Sequence, residues 1–125
     1  MKKILVFESN LAGRHTRGVA LRAYNNHGAI YGQGNGLQGS SYAIPIRDEE
    51  MKALSLVRIN RYVEQFIKFA TLNPEMQFEV TRVGCDAMAG YTDDDIAPMF
   101  IGAPKNCTLP VGWRAYAHKA NQKVS

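Results

Sequence analysis

Two short loops hold the residues whose types and spacing could do chemistry. The first follows an apolar run and contains Asn10, Gly13, Arg14, His15, Arg17 and Gly18, with Val19 and Ala20 directly after them. Backbone N–H groups at a helix N-terminus, flanked by two arginines, favour an anion, and phosphate is the preferred guest. The same residues also fit a simple turn, with both glycines serving backbone geometry and both arginines solvated. The loop matches neither GxxxxGK[ST] nor GxGxxG. The second loop is Gly84, Cys85, Asp86, Ala87, Met88, Ala89, Gly90 and Tyr91. Its glycines and small residues let the backbone approach a diphosphate closely, although an ordinary tight strand-to-helix connection has a similar composition.

The candidate acid or base groups are His15 and Asp86. His15, with a reference pKa near neutrality, could orient a water or contact a phosphate, or serve only as a polar loop contact. Asp86 could act as a general base, or hold the turn through the amides that follow it. Cys85 lacks a histidine and aspartate arrangement for nucleophilic catalysis and reads as a small buried residue. The run Asp93, Asp94, Asp95 reads as a helix cap, and no metal site or cofactor is expected.

Hydrophobic periodicity supplies the elements that must position these residues. Residues 3–7 form a continuous apolar run of the buried-strand kind, and residues 17–27 have helical spacing with Gly28 beyond them. Residues 28–41 are glycine-rich and read as a long, mobile loop or a strand pair with a wide turn, serving either as a lid over a crevice, with Tyr31 or Tyr42 stacking on a base, or as a hinge with no ligand contact. Residues 41–46 read as a strand ending near Pro45. Ile59, Tyr62, Val63, Phe66, Ile67 and Ala70 make one face of an amphipathic helix stopped by Asn73 and Pro74. Residues 77–83 alternate as a strand, a short helix begins at Asp94 or Asp95 and runs to Gly102, and residues 106–110 read as a last strand. This order predicts an α/β fold with helices flanking a mixed, mostly parallel sheet. Ligands in such sheets bind beyond the carboxyl ends of the strands, where both loops lie.

The 125 residues, 46% apolar and 21% charged, predict one self-sufficient domain over residues 1–112 and exclude disorder as the main state. Residues 113–125 read as a basic tail, partly disordered or docked on a neighbouring subunit, which leaves a homo-oligomer open. Two cysteines without ligand spacing suggest a reducing, cytoplasmic setting. No apolar run approaches the roughly 20 residues that span a bilayer. The net charge of +4 is spread along the chain, which disfavours nucleic acid as the partner.

The stretches "FESNLAGRHTRGVALRAYNNHGA", "SSYAIPI" and "TRVGCDAMAGY" together resemble the macro domain, most of all the small divergent macro-like proteins of bacteria and their phages. The resemblance runs from the first strand through Pro104. It implies a three-layer α/β/α fold and a phosphate-containing nucleotide as partner: ADP-ribose or another NAD-derived or cyclic nucleotide. Asn10 would then lie by the distal ribose, Gly18, Val19 and Ala20 would line the first phosphate loop, and residues 84–91 the second. Glu8 and Thr16 stand where glycines would be easier to accommodate, and Glu8 would oppose an anion unless turned away or paired with Arg14 or Arg17. Arg47 and Asp48 stand where some macro hydrolases carry a lysine nucleophile, and arginine cannot serve that role. The expected function is nucleotide binding or sequestering between the two loops. The alternatives are hydrolysis of an ADP-ribosyl or phosphoester bond, and a structural or protein-interaction module with a degenerate site.

Overall fold

A computed structural model describes residues 2–86 and 89–116. The chain runs β1 (Lys2–Asn10), α1 (Gly18–Asn26), β2 (Gly36–Gln38), β3 (Ser41–Arg47), α2 (Leu56–Leu72), β4 (Met76–Val80), α3 (Asp93–Ile96), a 3₁₀ turn (Ala97–Phe100) and β5 (Cys107–Thr108). The fold is α/β, with a mixed five-stranded sheet in the order β2-β3-β1-β4-β5. β1 is parallel to both β3 and β4, β4 is parallel to β5, and β2 alone runs antiparallel, against β3.

Alternation along the central strands feeds two separate clusters, because successive side chains leave a strand on opposite faces. Leu5, Phe7 and Ala43 pack with Ala23 of α1 and with Ala29. Ile4, Val6, Ile44 and Ile46 pack with Ile59, Val63, Phe66 and Ala70 of α2, and with Phe78, Ile96 and Phe100. α2 begins three residues before its periodic stripe because Ser55 caps it, its hydroxyl accepting from the Arg58 N–H at 3.3 Å. The strand expected over 77–83 ends at Val80: Thr81 donates its N–H and its hydroxyl to the Val6 carbonyl, and Gly84, at φ 78°, turns the chain. The cap of α3 is Thr92, which forms a capping box with Asp95. Asp93 instead accepts from both Arg82 and Trp113.

Within residues 113–116, Trp113 is part of the core while 114–116 are exposed. Trp113 is fully buried against Phe100, with ring centroids 5.3 Å apart, and its indole N–H donates to Asp93 at 2.6 Å. Arg114 donates to the carbonyls of Ala103, Pro104 and Cys107. The rest of the expected tail, 117–125, lies outside the described residues.

The glycine-rich segment after α1 is packed down, and is not a lid. Its strand β2 pairs with β3, and the Ser9 hydroxyl donates to the Gly34 carbonyl. A Cβ on Gly34 would lie 2.1 Å from the Asn10 carbonyl oxygen, so only glycine lets this segment lie against the end of β1. Gly34→Ala should therefore cost on the order of 2 kcal/mol or more in urea unfolding. An unchanged unfolding midpoint would show that the segment does not pack there.

Candidate functional site

The three parallel strands β3, β1 and β4 end side by side. The connection from β1 leads toward β3, whereas that from β4 leads toward β5, so the direction of winding reverses between β1 and β4. A crevice of about 250 Å³ opens at these ends, lined by Glu8, Arg17, Gly18, Val19, Ala20, Arg47 and Asp86. Crevices at such a reversal are the usual ligand sites of open α/β sheets.

Each wall has a local cause. Arg17 is the extended N-cap of α1, and neither a side-chain cap nor an acidic residue serves the first turn. The opening amides of a helix have no intrahelical acceptor, and here Gly18, Val19 and Ala20 bring them to the crevice. Gly18, at φ 59°, makes the turn from loop to helix. Arg47 ends β3 where the register slips: Ser9 faces Pro45 but Asn10 faces Arg47, so Ile46 is the extra residue of a bulge. The proline occupies a strand position at that bulge, where its missing N–H is tolerated. Asp86 follows the Gly84 turn, and its carboxylate accepts from the Ala89 N–H at 2.7 Å.

Two carboxylates converge on one atom. Arg47, with 7% of its side chain exposed, brings Nη1 to 3.6 Å from Glu8 Oε2 and to 3.5 Å from Asp86 Oδ2. Among the described residues only the second contact is a hydrogen bond, and a long one, while Arg47 Nε and Glu8 Oε2 are buried with none. Glu8 Oε1 accepts from the Gly84 N–H at 3.3 Å. Burial, followed by the neighbouring Asp86 carboxylate, pushes the Glu8 carboxyl up to about 7, against the pull of Arg47 and the Gly84 amide. Asp86 is also raised by burial, but the Ala89 amide, Glu8 and Arg47 outweigh this and leave it below its ordinary value. Two carboxyl groups on one guanidinium thus differ in proton affinity.

Of the residues singled out in the sequence, Arg17, Gly18, Val19, Ala20 and Asp86 meet at this crevice. His15 does not. It is 1% exposed, edge-on to Phe7, with Nε2 at 3.0 to 3.2 Å from the oxygens of Ile30, Gln33 and Gln38. With three acceptors around it, Nε2 carries the proton, and the ring ties the first loop to residues 30–38. Asn10 is also internal, its amide accepting from the Arg14 N–H and donating to the Arg14 carbonyl, each at 3.0 Å. Gly13 packs against Gln33, where a Cβ would come within 2.3 Å of backbone. Arg14 itself is exposed, away from the crevice lining.

In the second loop, Gly84, Cys85, Ala89, Gly90 and Tyr91 build the turn and do not line the crevice. Gly90 and Tyr91 donate backbone N–H groups to Asp86 and Gly84, and the Tyr91 hydroxyl donates to the Leu54 carbonyl. Ala87 and Met88 lie outside the described residues. Burial, with Asp93 next, pushes the Cys85 thiol up to about 11, so it is no ready nucleophile. Tyr42 is buried against Phe66 and Phe69, and exposed Tyr31 packs edge-on to Tyr24, so neither tyrosine faces the crevice. No group of three or more His, Cys, Asp or Glu side chains among the described residues could hold a metal ion, and none of their helices is long and apolar enough to cross a membrane.

The sequence reading missed Glu8 and Arg47 as a pair. It expected Glu8 to turn away or to pair with Arg14 or Arg17, and considered Arg47 only as a failed nucleophile. Both lie at the carboxyl ends of adjacent strands, and that shared position was the available signal.

The folded value of Glu8 lies above its ordinary 4.5, so the folded chain binds this proton more tightly than the unfolded chain. The stabilisation is complete below about pH 4.5 and is lost as pH rises through about 7. Urea unfolding should therefore show stability falling by on the order of 2 kcal/mol between about pH 5 and pH 8. The Glu8→Gln variant should flatten that slope. Asp86 has the opposite sign, but acts only below its ordinary 3.8.

Compared with protein-family models, with curated proteins and with solved structures, the chain gives no match in any of the three.

Proposed function

We propose that the crevice binds the phosphate-bearing part of a nucleotide, ADP-ribose or another NAD-derived or cyclic nucleotide. The chain would act as a small macro-like domain of three α/β/α layers, and binding or sequestering would be its function. The observation that carries this reading is Arg47. A buried guanidinium with five N–H donors makes one hydrogen bond of 3.5 Å among the described residues, beside a helix N-terminus with no side-chain cap. An anion there would complete both sets of donors. The volume, about 250 Å³, is below the usual range for a whole drug-sized ligand, so it suits the phosphate and ribose part, with the base outside. Residues 84–91 enter the reading through Asp86 alone among those described.

A second reading, hydrolysis of an ADP-ribosyl or phosphoester bond, is favoured by the unequal carboxyl pair. Asp86 is held ionised and could take a proton from water, while Glu8, which keeps its proton to about pH 7, could return one to a leaving group. His15 has no part in it.

ADP-ribose should raise the melting temperature of the chain, and Arg47→Gln should weaken binding by about tenfold to a hundredfold in calorimetry. Gly18→Val, whose side chain would enter open space beside the crevice, should have a similar effect on binding at a folding cost of about 1–2 kcal/mol. If no nucleotide of the classes above shifts the melting temperature, the nucleotide reading fails and a structural or interaction module takes its place. Recovery of unchanged ligand after prolonged incubation would reject hydrolysis of that ligand.

A further inference from the structure

We infer that the crevice takes up its anion together with one proton: the incoming phosphate replaces the Glu8 carboxylate as counter-ion of Arg47, and Glu8 stays behind as the neutral acid. This rests on the reading of the crevice as an anion site, and it makes Glu8 the residue that sets when that site is open.

The geometry points to Glu8, and not Asp86, as the group that gives way. Asp86 is anchored by the Ala89 N–H at 2.7 Å and by its hydrogen bond to Arg47, and with 43% of its side chain exposed it keeps contact with water. Glu8 has 16% exposure, one backbone hydrogen bond of 3.3 Å from Gly84, a contact with the Asp86 carboxylate that favours its protonated form, and an Oε2 that is buried without a hydrogen bond among the described residues. Its contact with Arg47, at 3.6 Å, is an ion pair without hydrogen-bond geometry. Of the two carboxylates on Nη1, Glu8 is the less well held.

The groups facing Glu8 give the sign. From the end of β3 comes Arg47; from the loop after β4 come the Asp86 carboxylate, the Gly84 amide and the Cys85 thiol; the start of α1 supplies Arg17 at the rim. Two carboxylates against the Arg47 guanidinium leave an excess of one negative charge, which opposes a phosphate. One proton on Glu8 removes that excess, and the Cys85 thiol, protonated at neutral pH, does not alter this. The protonated acid can also donate a hydrogen bond to a phosphate oxygen, which the carboxylate cannot. Because burial already pushes Glu8 up to about 7, the proton is within reach near neutrality. The crevice would then hold its nucleotide in mildly acid conditions and release it in mildly alkaline ones.

The test is calorimetric titration with ADP-ribose and with inorganic sulfate, two anions whose charge is constant between about pH 6 and pH 9. The affinity of the wild-type chain should fall about tenfold per pH unit above about pH 7, with close to one proton taken up per anion bound at the alkaline end. Glu8→Gln should bind at every pH as tightly as the wild type does in acid, with no proton uptake. Binding that ignores pH, or a pH dependence that survives in Glu8→Gln, would overturn the inference and leave the anion site standing. Sulfate binding without ADP-ribose binding, with the expected pH dependence, would support the inference while removing the nucleotide from the reading. If neither anion binds wild type or variant, the anion site fails and the inference fails with it. Should Glu8→Gln not fold, the carboxyl-carbon shift of Glu8 in the wild-type chain decides: its titration midpoint must rise in saturating sulfate, and an unmoved midpoint rejects the exchange.

Discussion

A guanidinium withdrawn from water has to be met by opposite charge, since an unpaired ion in a protein interior costs several kcal/mol. Arg47 is such a group, and much of the architecture near the strand ends follows from it. Its two counter-ions come from elements far apart in the chain, Glu8 from β1 and Asp86 from the turn after β4. The bulge at Ile46 brings Arg47 level with the end of β1, and the turn at Gly84 offers its amide to Glu8. One positive charge thus gathers the ends of three neighbouring strands. The pairing stays loose, with long contacts and, among the described residues, Arg47 Nε and Glu8 Oε2 left without hydrogen bonds.

The first loop achieves its form differently. Asn10 clasps the backbone of Arg14, His15 is encircled by oxygens from the segment that follows α1, and Gly13 lies directly on Gln33. The side chains of Asn10 and His15 are therefore occupied internally, and α1 starts at Gly18 with no side-chain cap for its first amides. Had a serine or aspartate stood in place of Arg17, the helix would have been capped and its N-terminus neutralised. The absence of a cap and the immobilisation of the loop belong to the same arrangement.

The sequence makes the framework legible because hydrophobic pattern records burial directly. The run 4–7 and the stripe on α2 appear where expected, and the loops at the strand ends mark the crevice. What escapes is which polar side chains share a burial site, since that depends on partners remote along the chain. His15 reads as a chemical group in a surface loop, yet its acceptors lie 15 to 23 residues onward and enclose it. Glu8 reads as an obstacle to anions until Arg47, brought beside it by strand pairing, supplies its counter-charge. Trp113 reads as tail because the carboxylate that takes its N–H lies 20 residues back.

The pairing of Arg82 with Asp93 closes the chain around the second loop. Two hydrogen bonds of 3.1 and 2.9 Å join the residues on either side of it, and Trp113 pins the junction from the far end of the domain. The loop is thereby a ring held shut at its base. Ala89 is buried in the core and the Tyr91 hydroxyl donates to the Leu54 carbonyl, so the ring is fastened to the frame on its far side as well, and Asp86 is held in station from both ends.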